Sequence, residues 1–439
     1  MNTAVLLEDL RSVLSEEQLS LESNHNNYLG NCGLATVYPY KEEDMAAVLK
    51  HANEHKLTVS VMGGGTKRGF GGLLESSDIL LSLEKYKGVV EHTVGDMTIT
   101  VKSGTNFQEL QDYLAKASQK IPLDPFSPAE ATIGGIIAAN DSGPKRLKYG
   151  SARDSVIGLR TVYPDGTVIR SGGKVVKNVA GYDMNKLFIG SMGTLGVISE
   201  VTFKLRPLPK YESLVLVSFP DGNEATIKEF AIKVLDSVLE PVSIELLTPS
   251  LSERLSNQKN FTIAICFEDV ETSVQYQEEM IKALVPPHSI LTILNQSEAQ
   301  DFWKRFYELN LIEQPSGKEV AAVLKLGTVN LDVIKVLKEA VALQDLNNVA
   351  IEAHGGLGHG LCQATINGSK EDVVNTINEF RKTVGPLGGY VIVKHLPYSI
   401  RKEINVWGEK PTYFSLLEGI KTKVDPNRIL NPKRFVGGI

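Results

Sequence analysis

Three histidines and three groups of glycines are the residues here with the most chemistry to offer. His354 and His359 stand five apart in EAHGGLGHG, and His395 follows in VKHLP. Imidazole accepts a proton near neutral pH, so these three are the candidate general bases. For the first pair the plainer reading is a solvated, glycine-rich turn. Glycines gather at Gly63-Gly64-Gly65-Thr66-Lys67, at Gly134-Gly135, and from Gly190 to Gly196. The apolar run 57–62 leads straight into the first group. A strand entering a glycine-rich turn aims backbone amides outward, as an anion nest does. The spacing fits neither a P-loop nor the dinucleotide fingerprint G-x-G-x-x-G. The second group lies in DPFSPAEATIGGIIAANDSGPKRLKYG, 124–150. Pro125 and Pro128 keep its first part extended. Thr132 is placed to cap a short helix through Ile136, Ile137 and Ala139. Two glycines in its first turn cost about 1 kcal/mol each against alanine. A ligand lying against bare backbone would account for that cost.

Elements must hold these groups in place. A strand at 37–40, a helix at 41–56 and a strand at 57–62 form a β-α-β unit that delivers the GGGT turn. Met45, Val48, Leu49 and Ala52 form the helix's apolar stripe. Strands follow at 79–83, 89–92 and 98–102, then a helix capped by Asn106 and carrying Phe107, Leu110 and Leu114. Strands at 156–163 and 167–171 flank Pro164-Asp165-Gly166, a hairpin turn; a further strand runs over 197–205. Arg206-Pro207-Leu208-Pro209 marks a boundary, since two prolines stop a strand and stiffen its exit. Beyond it the order β-α-β-β-α-β occurs twice, with strands near 213–219, 242–247, 261–267 and 290–294, then 320–326, 348–353, 361–366 and 389–393. This predicts two ferredoxin-like halves in one antiparallel sheet. A last helix from Thr412 leads to DPNRILNP at 425–432.

Composition sets wider limits. The 439 residues carry 42% hydrophobic side chains and a net charge of −6. Two or three domains are expected, and nucleic acid is not a natural partner. No apolar run approaches the length of a membrane span. The acidic, amphipathic start does not read as a signal peptide. Three separated cysteines, Cys32, Cys266 and Cys362, make no disulfide framework or zinc pattern and suit a reducing cytoplasm.

The glycine motifs, taken in order, resemble the vanillyl-alcohol-oxidase/para-cresol-methylhydroxylase (PCMH) type of FAD-binding oxidoreductase. Within that type the likeness is to the FAD-binding subunit of glycolate oxidase. It rests on GGGT at 63–66, ATIGGIIAANDSGPKRLKYGSARDSVIGLR at 131–160, KNVAGYDMNKLFIGSMGTLGVISEV at 177–201, NVWG at 405–408 and DPNRILNP at 425–432. The resemblance implies an α+β protein with an N-terminal helical segment (1–30) and a PCMH-type FAD-binding domain of two α/β subdomains (31–208). A ferredoxin-like cap over the flavin (209–395) and a returning tail (396–439) complete it. It implies FAD contacts at Gly63, Gly64, Gly65, Thr66, Lys67, Ser127, Ala131, Thr132, Gly134, Gly135, Asn140, Gly150, Ile198 and Asn431. Relatives that tether the flavin from the first loop have a histidine where Thr66 stands, so non-covalent FAD is expected. Catalytic relatives bind a divalent metal through HxxxGNxH and GEHG. Here His354-Gly-Gly-Leu-Gly-His359 and Lys394-His395 depart from both, and no metal is expected.

The function implied is hydride transfer from a small 2-hydroxy acid, with Lys394 or Arg401 as a cation for its carboxylate. Electrons would pass to a second flavoprotein subunit and an iron–sulfur subunit, in the cytoplasm, with any membrane contact made through those partners. A self-sufficient FAD-linked oxidase or dehydrogenase of another alcohol or hydroxy acid, an FAD-holding scaffold and an NADPH-linked reductase are the alternatives.

Overall fold

In this computed structural model residues 3–20, 27–175, 181–310 and 319–439 are described. The segment 177–180, which opens one of the motifs quoted above, lies outside them. The chain divides into two compact units, one formed by Met1–Ser142, Ser151–Pro207 and Pro397–Ile439, the other by Gly143–Gly150 and Leu208–Leu396. One of the divisions, Pro207/Leu208, falls inside Arg206–Pro209. The short insertion Gly143–Gly150 belongs with the second unit although it interrupts the glycine-rich stretch.

Two larger sheets of the first unit frame the site, beside a short two-stranded ladder of Gln119–Lys120 with Arg206–Pro207. In one, strand Ser76–Ser82 lies between Cys32–Val37 and Val59–Met62, parallel to both. Helix Glu42–His55 joins the outer two, burying Met45, Val48, Leu49 and Ala52. Leu6 and Leu10 of helix Thr3–Arg11 join the same apolar cluster. The strand expected at 37–40 lies earlier, at Cys32–Val37. Pro39 has no amide hydrogen for a ladder, whereas the preceding residues pair with Ser76–Leu81. The other sheet is antiparallel, in the order Val89–Thr93, Thr98–Lys102, Val197–Lys204, Val156–Val162, Val168–Gly172. Gly166 takes φ +83 in the hairpin. Helix Phe107–Ala115 starts at Asn106, whose side chain accepts from the Glu109 amide at 3.0 Å.

The second unit is one eight-stranded antiparallel sheet. Each half has the ferredoxin-like order. They join edge to edge where Ser243–Leu247 meets Ala350–Gly356, through Glu245↔Gly356, Leu246↔Gly355 and Leu247↔His354. Two helices escape the periodicity reading, Pro249–Ser256 and Gln296–Tyr307. The second carries a capping box, Asn295 and Glu298, that sequence inspection can find.

Candidate functional site

Strand Val59–Met62 delivers its last residues into a cavity. Gly63 to Arg68 form one wall, Thr132, Gly135, Ala138 and Ala139 another, with Asn31, Met192 and Arg434 completing it. The glycines are required by space. A β-carbon on Gly63 would run into the Thr132 hydroxyl, and one on Gly64 into the Glu130 carbonyl. Gly65 has φ +75, a conformation that side chains disfavour. Thr132 occupies the N-cap position of helix Ile133–Ala139, as expected, but its side chain makes no capping bond. Its Oγ1 is buried with no protein partner. A buried hydroxyl in that state costs free energy unless something else meets it. A bare-backbone turn, an orphaned hydroxyl and the first turn of a helix lining one cavity fit a phosphate-bearing dinucleotide such as FAD.

The expected cofactor residues separate into groups. Gly63, Gly64, Gly65, Thr66, Lys67, Thr132 and Gly135 line the cavity. Lys67 is paired with Asp141 at 3.1 Å. Gly134 instead packs on Ser103, where a β-carbon would lie 2.8 Å from the Ser103 β-carbon. Ser127, at φ +53, and Ala131 are buried. Asn140 closes the helix at φ 48, with its Oδ1 buried and unpartnered. Ile198 packs in the core beneath the antiparallel sheet. Gly150 lies in the second unit at φ +76. Asn431 works as a clip: it donates to the Met192 and Gly193 carbonyls, both at 3.1 Å, and accepts from the Val61 amide at 3.0 Å. Its donors are committed to protein, so it holds the nest's strand to the Gly190–Gly196 loop.

Residues far from any motif complete the site's frame. Asp425 accepts from the Ile429 and Leu430 amides, and its partner Lys421 donates to it at 2.6 Å and to the Thr194 carbonyl at 2.8 Å. Arg401, a candidate for meeting a substrate carboxylate, is fully buried in the first unit, where it donates to the Gly72 and Leu29 carbonyls. It ties loops together, because burial leaves its fork facing main-chain oxygens. Trp407 stacks on Phe70 with ring centroids 5.0 Å apart.

In the second unit the histidines separate. His354 and His359 converge on Glu245, which is 1% exposed. His354 Nδ1 lies 2.8 Å from one carboxylate oxygen, and His359 Nε2 lies 3.4 Å from the other. Burial pushes the Glu245 carboxyl up, but hydrogen bonds and charge from the two imidazoles outweigh it, and its pKa lies below the ordinary value. Phe306 meets the His354 ring edge-on at 4.6 Å. Sequence reading missed Glu245, which sits alone in an apolar strand; a lone acid inside SIELL is the signal it left. His395 ends strand Tyr390–His395, with two strands between it and that of His354, so the three do not form one group. Lys394 donates to Gln363 at 3.2 Å. Elsewhere Glu212, Cys266 and Glu268 converge, but the Lys145 ammonium already sits 2.6 and 2.5 Å from the two carboxylates.

A family model described as an FAD binding domain matches residues 34–172. D-lactate dehydrogenase [cytochrome], mitochondrial, of Arabidopsis thaliana is 30% identical over 68% of this chain and 55% of its own length, so that match spans about half of that relative. Glycolate oxidase subunit GlcD of Bacillus subtilis is 25% identical over 91% of this chain and 88% of its own. The solved structure of p-cresol methylhydroxylase superposes with a TM-score of 0.76 at 16% identity, over 98% of this chain and 96% of that one, which shows a common fold. The chain therefore carries an FAD-binding domain over residues 34–172, is similar in sequence to a D-lactate dehydrogenase and a glycolate oxidase subunit, and shares its fold with p-cresol methylhydroxylase.

Proposed function

We propose that this chain is the FAD-bearing subunit of a glycolate-oxidase-like 2-hydroxy-acid dehydrogenase. Relatives named for D-lactate and glycolate support the substrate class. Bound FAD supplies a two-electron acceptor for the hydride from the hydroxyl-bearing carbon. The chain's own residues do the rest. Main-chain amides of Gly63 to Lys67 would hold the diphosphate, and the same molecule would supply a partner for the Thr132 hydroxyl. In the second unit the candidate base for the hydroxyl proton is His354, whose ring orientation is fixed by Glu245 at Nδ1, the arrangement that orients a general base in other enzymes. The observation that carries the chemical half is the buried carboxylate gripping that imidazole at 2.8 Å.

Electrons leave to a second flavoprotein subunit and an iron–sulfur subunit. Cys32, Cys266 and Cys362 are buried and widely spread, so a cluster would sit in a partner. No helix among the described residues is long and apolar enough to cross a membrane; the cytoplasmic placement is part of the proposal. The deciding experiment is an anaerobic titration with glycolate and each lactate, following flavin absorbance near about 450 nm. Bleaching by one of them in the complex, with slow turnover by the isolated chain, is expected. Full turnover alone would point to a self-sufficient oxidase, and no bleaching in either state would leave a flavin-holding scaffold. Because Thr66 stands where a tethering histidine would, acid precipitation should leave the yellow colour in the supernatant.

A further inference from the structure

Arg434 follows the DPNRILNP motif and lines the cavity beside the glycine turn. It is 9% exposed. Its Nε donates to the Phe70 carbonyl at 2.7 Å and its Nη2 to the Lys67 carbonyl at 2.8 Å. Both acceptors lie at the far end of the turn that begins at Gly63, so the guanidinium is strapped to the nest it faces. Those neutral carbonyls satisfy hydrogens but not charge. A buried cation without a counter-ion is unfavourable, and the groups near it make this worse. Arg401 and Arg68 are both cations, and the Lys67 ammonium is already balanced by Asp141. Burial first, then the charges of Arg401 and Arg68, push Arg434 down to about 9. It therefore still carries its charge at neutral pH.

We propose that Arg434 is a cofactor-binding residue whose guanidinium supplies the fixed counter-charge for the dinucleotide's diphosphate in this cavity. Amides of a glycine turn offer hydrogen bonds but no net charge. A guanidinium adds the charge and a planar fork matched to phosphate oxygens. Its partners on Lys67 and Phe70 fix it in place before the ligand arrives, so little side-chain entropy is lost on binding.

The inference rests on the FAD assignment, and the two fail differently. Flavin-stripped full-length protein would be titrated calorimetrically with FAD, with ADP and with riboflavin. Wild type that binds neither FAD nor ADP sinks the assignment itself. With wild type binding, Arg434→Gln is expected to weaken FAD and ADP alike by about 10- to 100-fold, leaving riboflavin unchanged. ADP affinity equal to wild type, including the case where only FAD is weakened, overturns the proposal and moves the residue's action to the flavin ring. Arg434→Lys keeps the test alive should the glutamine variant not fold. A lysine buried beside Arg401 and Arg68 titrates lower than an arginine. ADP affinity of that variant should then fall between about pH 6 and 8, where wild type, still charged, stays flat. A flat profile in both overturns the assignment of charge to this position.

Discussion

Gly134 and Gly135 share the first turn of one short helix and have separate reasons to be glycine. Gly134 lies against Ser103, where a β-carbon would stand 2.8 Å from the Ser103 side chain and 3.1 Å from its carbonyl. Gly135 faces the cavity, and its β-carbon would meet only the Thr132 hydroxyl, at 3.3 Å. Alanine restores about 1 kcal/mol of helix propensity at either position, so the surroundings decide the outcome. Gly134→Ala should lower the denaturation midpoint, because a strand-end backbone has to move. Gly135→Ala should keep or raise it while reducing flavin bound per chain. Urea melts of the flavin-free protein and the visible-to-ultraviolet absorbance ratio of the purified protein would read the two effects apart. If both variants lose stability and keep flavin, the cavity is not where the dinucleotide binds. A sequence alone identifies the pair as costly but cannot divide the cost, since Ser103 reaches Gly134 only through tertiary packing.

At the scale of elements, the twofold β-α-β-β-α-β order was readable because each strand is a short apolar run and each helix has a 3.6-residue stripe. The order of strands across the sheet was not, and the proposed proton-handling group depends on it. Glu245 and His354 are 109 residues apart and meet only because Ser243–Leu247 pairs with Ala350–Gly356. The carboxylate–imidazole contact lies within that junction, beside the Thr248–Ala353 and Ser250–Ile351 hydrogen bonds that also join the halves. Replacing one partner of such a buried pair costs about 3–5 kcal/mol, and Glu245→Gln should show a loss of that order in denaturant melts. The pH dependence has a definite sign. The folded carboxyl titrates below its unfolded value of about 4.3, so the unfolded chain binds the proton more readily. The pair's stabilisation is therefore complete above that pH and is lost as pH falls through the depressed folded value. Wild type should lose stability on acidification more steeply than Glu245→Gln. Parallel pH profiles would show that the carboxylate contributes no coupling.

For the whole molecule, the tail closes a circuit in the flavin-binding unit that the glycine motifs alone leave open. Leu430 bridges to Val59 in parallel, the Asn431 amide donates to the Val59 carbonyl at 2.8 Å, and the Asn431 side chain reaches Met192 and Gly193. One turn of chain thus fixes the strand entering the nest against a loop more than a hundred residues away in sequence. That turn is itself held by Lys421, 1% exposed, whose ammonium satisfies Asp425 and the Thr194 and Leu430 carbonyls at once. Lys421→Met removes the cation and leaves the Asp425 carboxylate buried without it, a loss of about 3–5 kcal/mol. The loss should fall on one unit. Ligand stabilises the unit that binds it, so added FAD identifies the flavin unit's unfolding transition in wild type. In Lys421→Met that transition should drop and require more FAD to recover, while unfolding of the Leu208–Leu396 sheet, followed through Trp303 fluorescence in a Trp407→Phe background, stays where it was. Equal loss in both transitions would mean that the tail stabilises the chain generally and does not specifically hold the nest.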